Sequence, residues 1–352
     1  AWGYWIAVWA GNAAIAVGFA GYVGFLAPAV GNDPVLGAIT ALLAIWVLTA
    51  VNVRGVRAVG WMALVTTVLK VIPLVAIGTV GFLYVDAANF APFNASGGSS
   101  VSAVTACAAL TLWAFLGLES ATIPADDVES PETTIPRATV LGAVVAAAIY
   151  ILSTGAVLGL VPREVLGAST APFADAAGAV WGGTAATVVA VGAVIAAFGA
   201  LNGWILLASQ IPLAASRDGL FPQAFSRVSE RGVPTFGLVV SGVLASLLLV
   251  FNYTRGLVGM FTFIILLATL NTLIPYALCS LAYFVMPRRP DEPASPDRTV
   301  GHALIAVAAF LYSAWAILGA GKDAVYWGSL LLLAGIPVFV WLKRPSAQRS
   351  PP

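Results

Sequence analysis

Two ionisable side chains stand where water should be scarce. Lys70, in VTTVLKVIPLVAI, and Glu119, in TLWAFLGLESA, are the only acidic or basic residues placed well within long apolar stretches. A charge inside a bilayer is costly, so such a residue faces protein or a water-filled cavity and usually has a function there. Glu119 is preceded by Trp113 and Gly117, and its stretch runs out through Pro124 into the acidic, proline-bearing loop DDVESPETT. That order predicts a helix broken at membrane depth. Such a break is tolerated only where it is buried in protein or lines a cavity, and a charge beside a break predicts a transport site. Other chemistry is poorly supplied. With one histidine (His302) and two cysteines in apolar runs (Cys107, Cys279), the chain offers no nucleophile–base pair, no disulfide framework and no metal-ligand set. No cofactor is expected. Nor does any basic cluster suggest nucleic acid, and no repeated filter or charged ring suggests a channel.

The elements around these residues follow from composition. The 352 residues are 60% hydrophobic and 9% charged, with a mean hydropathy of +0.97, whereas a soluble domain carries about 25% charged residues. The expected fold class is all-α, a polytopic membrane protein. About twenty apolar residues cross the hydrocarbon, and ten such segments can be drawn, at roughly 1–28, 35–52, 60–84, 101–125, 138–161, 178–211, 234–252, 258–286, 300–320 and 325–342. The sixth is long for one span and is expected to tilt. Residues 346–352 form a polar tail. Residue 1 already lies in an apolar run without a polar flank, which reads as a truncated start.

Basic residues orient the segments. Of the sixteen, twelve fall in one set of alternating loops and the C-terminal tail, among them Arg54, Arg137, Arg217, Arg231, Arg288 and Lys343. The other set holds Arg163, Arg255 and Lys322, and Lys70 is inside a span. The positive-inside rule then puts the first set and the C-terminus in the cytoplasm.

In the first segment, Tyr4, Ala7, Val8, Gly11 and Asn12 recur at helical spacing and make one small, polar-tipped face. Such a face either packs closely against another helix or leaves room for a ligand. Lys70 is about ten residues in from the cytoplasmic end of its segment, too deep to snorkel comfortably; a structural lysine capped by carbonyls is the alternative. Trp204, in GALNGWILLASQ, lies mid-segment, away from the interfacial depth where tryptophans collect.

TLWAFLGLESA followed by DDVESPETTIPRA resembles the amino acid–polyamine–organocation superfamily, and most of all its bacterial basic amino acid/polyamine antiporters, such as the arginine/agmatine and putrescine/ornithine exchangers. The likeness extends to YWIAVWAGNAAIAV at 4–17, STAPFADAA at 169–177, GWILLASQ and SRDGLFP within 203–222, and IPY at 274–276. It implies a twelve-helix inverted-repeat (LeuT-like) transporter fold with discontinuous helices around a midplane site. Residues 1–345 would then be the transporter domain, holding family helices 3–12, with helices 1 and 2 absent.

By that resemblance Trp113 packs over the substrate, the Leu116 carbonyl accepts from its amino group, and Glu119 serves coupling and pH response. Tyr4 and Trp204 form a distal aromatic pair, while Ala7, Val8, Asn12 and Ala268 line the pocket for the substrate's far end. Val8 and Ala268 are more apolar than an arginine-specific pocket. Lys70 departs from the antiporters and resembles instead the proton-coupled and heteromeric members, where a lysine on family helix 5 stands in for a sodium ion. The implied partners are a small amino acid or polyamine substrate, the lipid bilayer and, as in some relatives, a second copy in a homodimer. The implied activity is substrate/product antiport by alternating access, with proton-coupled symport through Lys70 as the alternative.

Overall fold

A computed structural model of the chain describes residues 1–55, 70–119, 128–286 and 300–343. In order, α1 (Trp2–Leu26), a short α2 (Pro28–Asn32) and α3 (Pro34–Val53) are followed by α4 (Lys70–Thr79) and α5 (Ser100–Leu112). Then come α6 (Pro131–Leu160), α7 (Arg163–Ala168), α8 (Pro172–Trp181), α9 (Gly183–Arg217), α10 (Thr235–Asn252) and α11 (Gly256–Val285). The last elements are α12 (Val300–Gly319), α13 (Lys322–Leu333) and α14 (Gly335–Leu342). Among the described residues there is no strand. Parts of the expected third and fourth spans (60–69, 120–125), the 287–299 loop and the tail 346–352 lie outside the described residues.

The expected spans recur as helices. Among the described residues, seven stretches are long and apolar enough to cross a membrane, one of them the run Thr235–Val285. That run is two helices, parted at Tyr253–Arg255 and Gly256. Counting it so, and adding the shorter apolar helices Lys70–Thr79 and Ser100–Phe115, ten segments match those drawn from sequence. Several boundaries are corrected: the fifth span begins at Pro131 and not 138, and the sixth runs on to Arg217 and not 211. The sixth span does not begin at 178: α8 ends at Trp181, Gly182 turns with φ +84°, and α9 starts at Gly183. The run 178–211 looked continuous because alanine and glycine fill both helix ends. At 35 residues, α9 is about 50 Å long, well beyond a ~30 Å hydrocarbon core.

α1 is the axis of the bundle. It packs on α3, α9, α10 and α11, and 67% of its apolar window is buried, against 17% for α6. The cause is its composition: Ala10, Ala13, Ala14, Ala16 and Ala20 are fully buried, and small side chains let neighbouring backbones approach where lipid supplies no hydrophobic drive for helix association. α6, α12 and α13 keep most of their apolar surface outward, as a lipid-facing helix must.

The sequence SRDGLFPQAFSRV, from the end of α9, reads as a loop with a turn at Asp218-Gly219 and Pro222. Its Asp218-Gly219 turn is present, with Gly219 at φ +68°, but the following phenylalanines fold inward. Phe221 and Phe225 are 3% and 7% exposed and meet Trp5 edge to face, at 5.5 and 5.6 Å between ring centroids. Aromatic pairs of this geometry add to plain area burial. This loop therefore caps the end of α1 where Tyr4 sits.

Candidate functional site

The break in the fourth span forms as expected. α5 ends at Leu112, and Trp113–Phe115 tighten into a single 3-10 turn. Leu116 is extended (φ −69°, ψ 144°) and Gly117 takes φ +96°, a conformation that only glycine adopts cheaply. Ending a helix there leaves the carbonyls of its last turn without intrahelical donors. A Cβ on Gly117 would lie 2.5 Å from Cη2 and Cζ2 of Trp204. The Trp204 indole therefore rests directly on the broken segment, and glycine is required twice over, by backbone angle and by space.

Glu119 follows the break and is held by three elements. The Tyr4 hydroxyl, from α1, donates to Oε1 at 2.5 Å. The Tyr276 hydroxyl, from α11, donates to Oε2 at 2.5 Å. The Gly117 backbone N–H donates to the same Oε2 at 3.0 Å. Hydrogen bonds to an ionised acceptor are the short, strong kind. One carboxylate thus ties α1, α11 and the broken segment together.

These groups surround one cavity of about 670 Å³. Its walls include Tyr4, Ala7 and Val8 of α1, Lys70 of α4, Trp113, Leu116 and Glu119 of the break, and Trp204 of α9. So eight of the ten residues singled out from sequence share one space. Trp113 is half-buried and meets Phe261 of α11 edge to face at 5.6 Å. Lys70 is exposed and makes no hydrogen bond or ion pair among the described residues, which does not fit the alternative of a structural lysine capped by carbonyls.

The two others sit behind the wall. Along α1 the cavity stripe is Tyr4, Ala7, Val8, Gly11 and Ile15; Asn12 lies about 80° around the helix from Tyr4 at 100° per residue. It is 3% exposed, and its Nδ2 reaches the Trp204 carbonyl at 3.4 Å. Asn12 therefore braces α9 against α1. Ala268 is 1% exposed, and its carbonyl accepts from Thr272 Oγ1. Thr272, one turn on, lines the cavity in its place.

The sequence reading missed Tyr276, Thr272 and, on α6, Tyr150 and Ser153. Ser153 is 1% exposed and its Oγ has no partner among the described residues. A signal for Tyr276 was present: it directly follows Pro275 inside α11, and a polar-tipped aromatic beside a proline in mid-span marks a bent helix that can direct a hydroxyl inward. The expected absence of a disulfide is a separate matter; Cys107 and Cys279 are both free and exposed.

Comparison with known proteins places the chain in a family. The amino acid permease profile matches residues 1–341. Putrescine transporter PotE of Escherichia coli (strain K12) is 32% identical over 340 residues, covering 94% of this chain and 75% of that protein. Putrescine transporter PotE of Haemophilus influenzae is 31% identical over 333 residues, covering 94% and 76%. A cadaverine/lysine antiporter of E. coli (strain K12) is 33% identical over 279 residues, covering 78% and 63%. With ten apolar helical segments arranged around a broken helix and a profile match over nearly its whole length, this multi-pass membrane chain belongs to the amino acid permease family.

Proposed function

We propose that the chain forms the substrate pathway of a secondary transporter that exchanges a cationic amino acid for a related amine by alternating access, and that it is a carrier and not an enzyme. The observation that carries this reading is the cavity itself: a broken helix, a single carboxylate held by Tyr4, Tyr276 and Gly117, and the rings of Trp113 and Trp204 on the same wall. A substrate ammonium finds an acidic group and aromatic faces there, and cation–π attraction strengthens in a desolvated site. The relatives named for putrescine and for cadaverine/lysine support the same substrate class. In this reading Trp113 covers the substrate's aliphatic part, the Leu116 carbonyl accepts from an amino group, and Ala7, Val8 and Thr272 shape the far end. Asn12 and Ala268 support that wall from behind. Residues 1–345 act as one transporter domain in the cell's inner membrane, with the C-terminus in the cytoplasm, and a homodimer is the proposed assembly.

Lys70 favours a second reading, proton-coupled amino acid symport. It lines the same cavity and no described residue pairs with it. The two readings part on binding. Competition by lysine, cadaverine, putrescine and a neutral amino acid against a labelled diamine, on purified protein, tests the first. Cationic ligands are expected to displace the label at concentrations at least tenfold below the neutral one, and Trp113→Ala to abolish that preference. Equal displacement by the neutral amino acid would favour the symport reading.

A further inference from the structure

The wall that carries Trp204 has a defect built into it and a repair from two other helices. Pro212 lies inside α9 and has no N–H to give, so the carbonyl four residues earlier, that of Ala208, loses its helical donor. Ala208 is fully buried, where an unsatisfied carbonyl is costly. Ser241 of α10 supplies the replacement: its Oγ donates to the Ala208 carbonyl at 3.3 Å. That same Oγ accepts from the indole Nε1 of Trp5 on α1 at 2.9 Å. Trp5 and Ser241 are each 3% exposed, so the Trp5–Ser241–Ala208 chain is dry, with each donor and acceptor matched to the next. Most serines and threonines within these helices, such as Ser246, Thr262 and Ser280, return their hydroxyl to their own helix. Ser241 bridges two others instead.

The position matters more than the bond. Ala208 is one turn along α9 from Trp204, whose indole rests on Gly117. Trp5 is the next residue after Tyr4, whose hydroxyl holds Glu119. The bridge therefore joins α1 beside Tyr4 to α9 one turn from Trp204, the two side chains that touch Glu119 and Gly117. Close approach at the same level is secured by Gly237 of α10, where a Cβ would lie 3.3 Å from the Ser209 carbonyl oxygen. A proline in mid-helix bends it, and the bend is held in one state only if its orphan carbonyl is held.

We propose that Ser241 is a positioning residue for transport: by capping the carbonyl freed by Pro212 and fixing Trp5, it sets the placement of Trp204 over Gly117 and of Tyr4 on Glu119. It touches no substrate. This deepens the exchange reading and rests on it.

The test separates positioning from plain stability. In vesicles of the full-length protein, Ser241→Ala is expected to lower both the melting temperature and the exchange rate, the latter at least fivefold, and Ser241→Thr to restore both. Pro212→Ala returns the N–H to the helix, so in Ser241→Ala/Pro212→Ala the melting temperature is expected to recover in part, the Trp5 Nε1 still lacking its Ser241 acceptor, while exchange stays low, because the bend that places Trp204 is gone. Recovery of exchange together with stability would overturn the proposal, as would wild-type exchange in Ser241→Ala. If Ser241→Ala does not fold, the double variant, whose carbonyl is satisfied, still gives the decisive rate. A wild-type protein that shows no exchange would count against the transport reading, and the melting-temperature cycle would still report on the bridge.

Discussion

Gly117→Ala is expected to slow exchange at least tenfold while the protein stays folded and monodisperse in detergent. Two costs combine. A side chain at φ +96° is strained by about 1–2 kcal/mol. The added methyl would also lie 2.5 Å from two ring carbons of Trp204, an overlap that costs ~1–3 kcal/mol to relieve. The relief moves either the indole or the turn. If the turn moves, the Gly117 N–H leaves Glu119 Oε2, now 3.0 Å away, and the carboxylate loses that donor. Shrinking the ring tests which cost dominates. Trp204→Leu in the Gly117→Ala background removes the collision and leaves the backbone strain, so partial recovery is expected relative to Gly117→Ala alone. Rates equal to wild type in Gly117→Ala would mean that the break and the indole do not work as one unit.

Glu119→Gln is the second large effect. The amide is nearly isosteric. Its oxygen can still accept from Tyr276 and Gly117, and its NH2 can donate to the Tyr4 hydroxyl. Geometry is therefore kept and the charge is lost. Charge-assisted hydrogen bonds are about twice as strong as neutral ones, so the loss over two tyrosine contacts is ~2–3 kcal/mol, roughly 30- to 150-fold in rate or affinity. The expected result is an exchange rate reduced by that factor for cationic substrates, measured at saturating internal substrate, with the melting temperature within a few degrees of wild type. Glu119→Ala should be worse on both counts, because it leaves the hydroxyls of Tyr4 and Tyr276 without their acceptor. A Glu119→Gln protein that exchanges at the wild-type rate would remove the carboxylate from the mechanism.

Much of this is legible in the amino-acid sequence. Span positions come from hydropathy, and α1 and α3 match to within two residues because their ends carry clear signals, Pro28 after α1 and Asp33-Pro34 before α3. The break at 113–117 was visible because tryptophan, glycine and glutamate in sequence contradict an ordinary apolar span. What could not be read depends on contacts distant in sequence. Tyr276 reaches Glu119 across 157 residues, and no local pattern encodes that pairing. Asn12 looked like a wall residue because it shares small, polar character with Gly11, yet one step around the helix turns it to α9. The turn at Asp218-Gly219 is legible in the loop after α9, but the packing of Phe221 and Phe225 on Trp5 is not, because Trp5 and its partner Ser241 lie far along the chain. Lys70 lines the same cavity, one of the two surroundings, protein or a water-filled space, open to a charge at that depth.

Exchange in vesicles tests the central claim most directly. Full-length protein is reconstituted, and uptake of labelled putrescine, cadaverine, lysine and arginine is followed into empty vesicles and into vesicles preloaded with the unlabelled partner, with and without an inward proton gradient. The predicted result is uptake that requires preloading, is indifferent to the gradient, and is lost in Glu119→Ala. Equal uptake into empty and preloaded vesicles, driven by the gradient, would contradict exchange and place Lys70 at the centre of a proton-coupled mechanism.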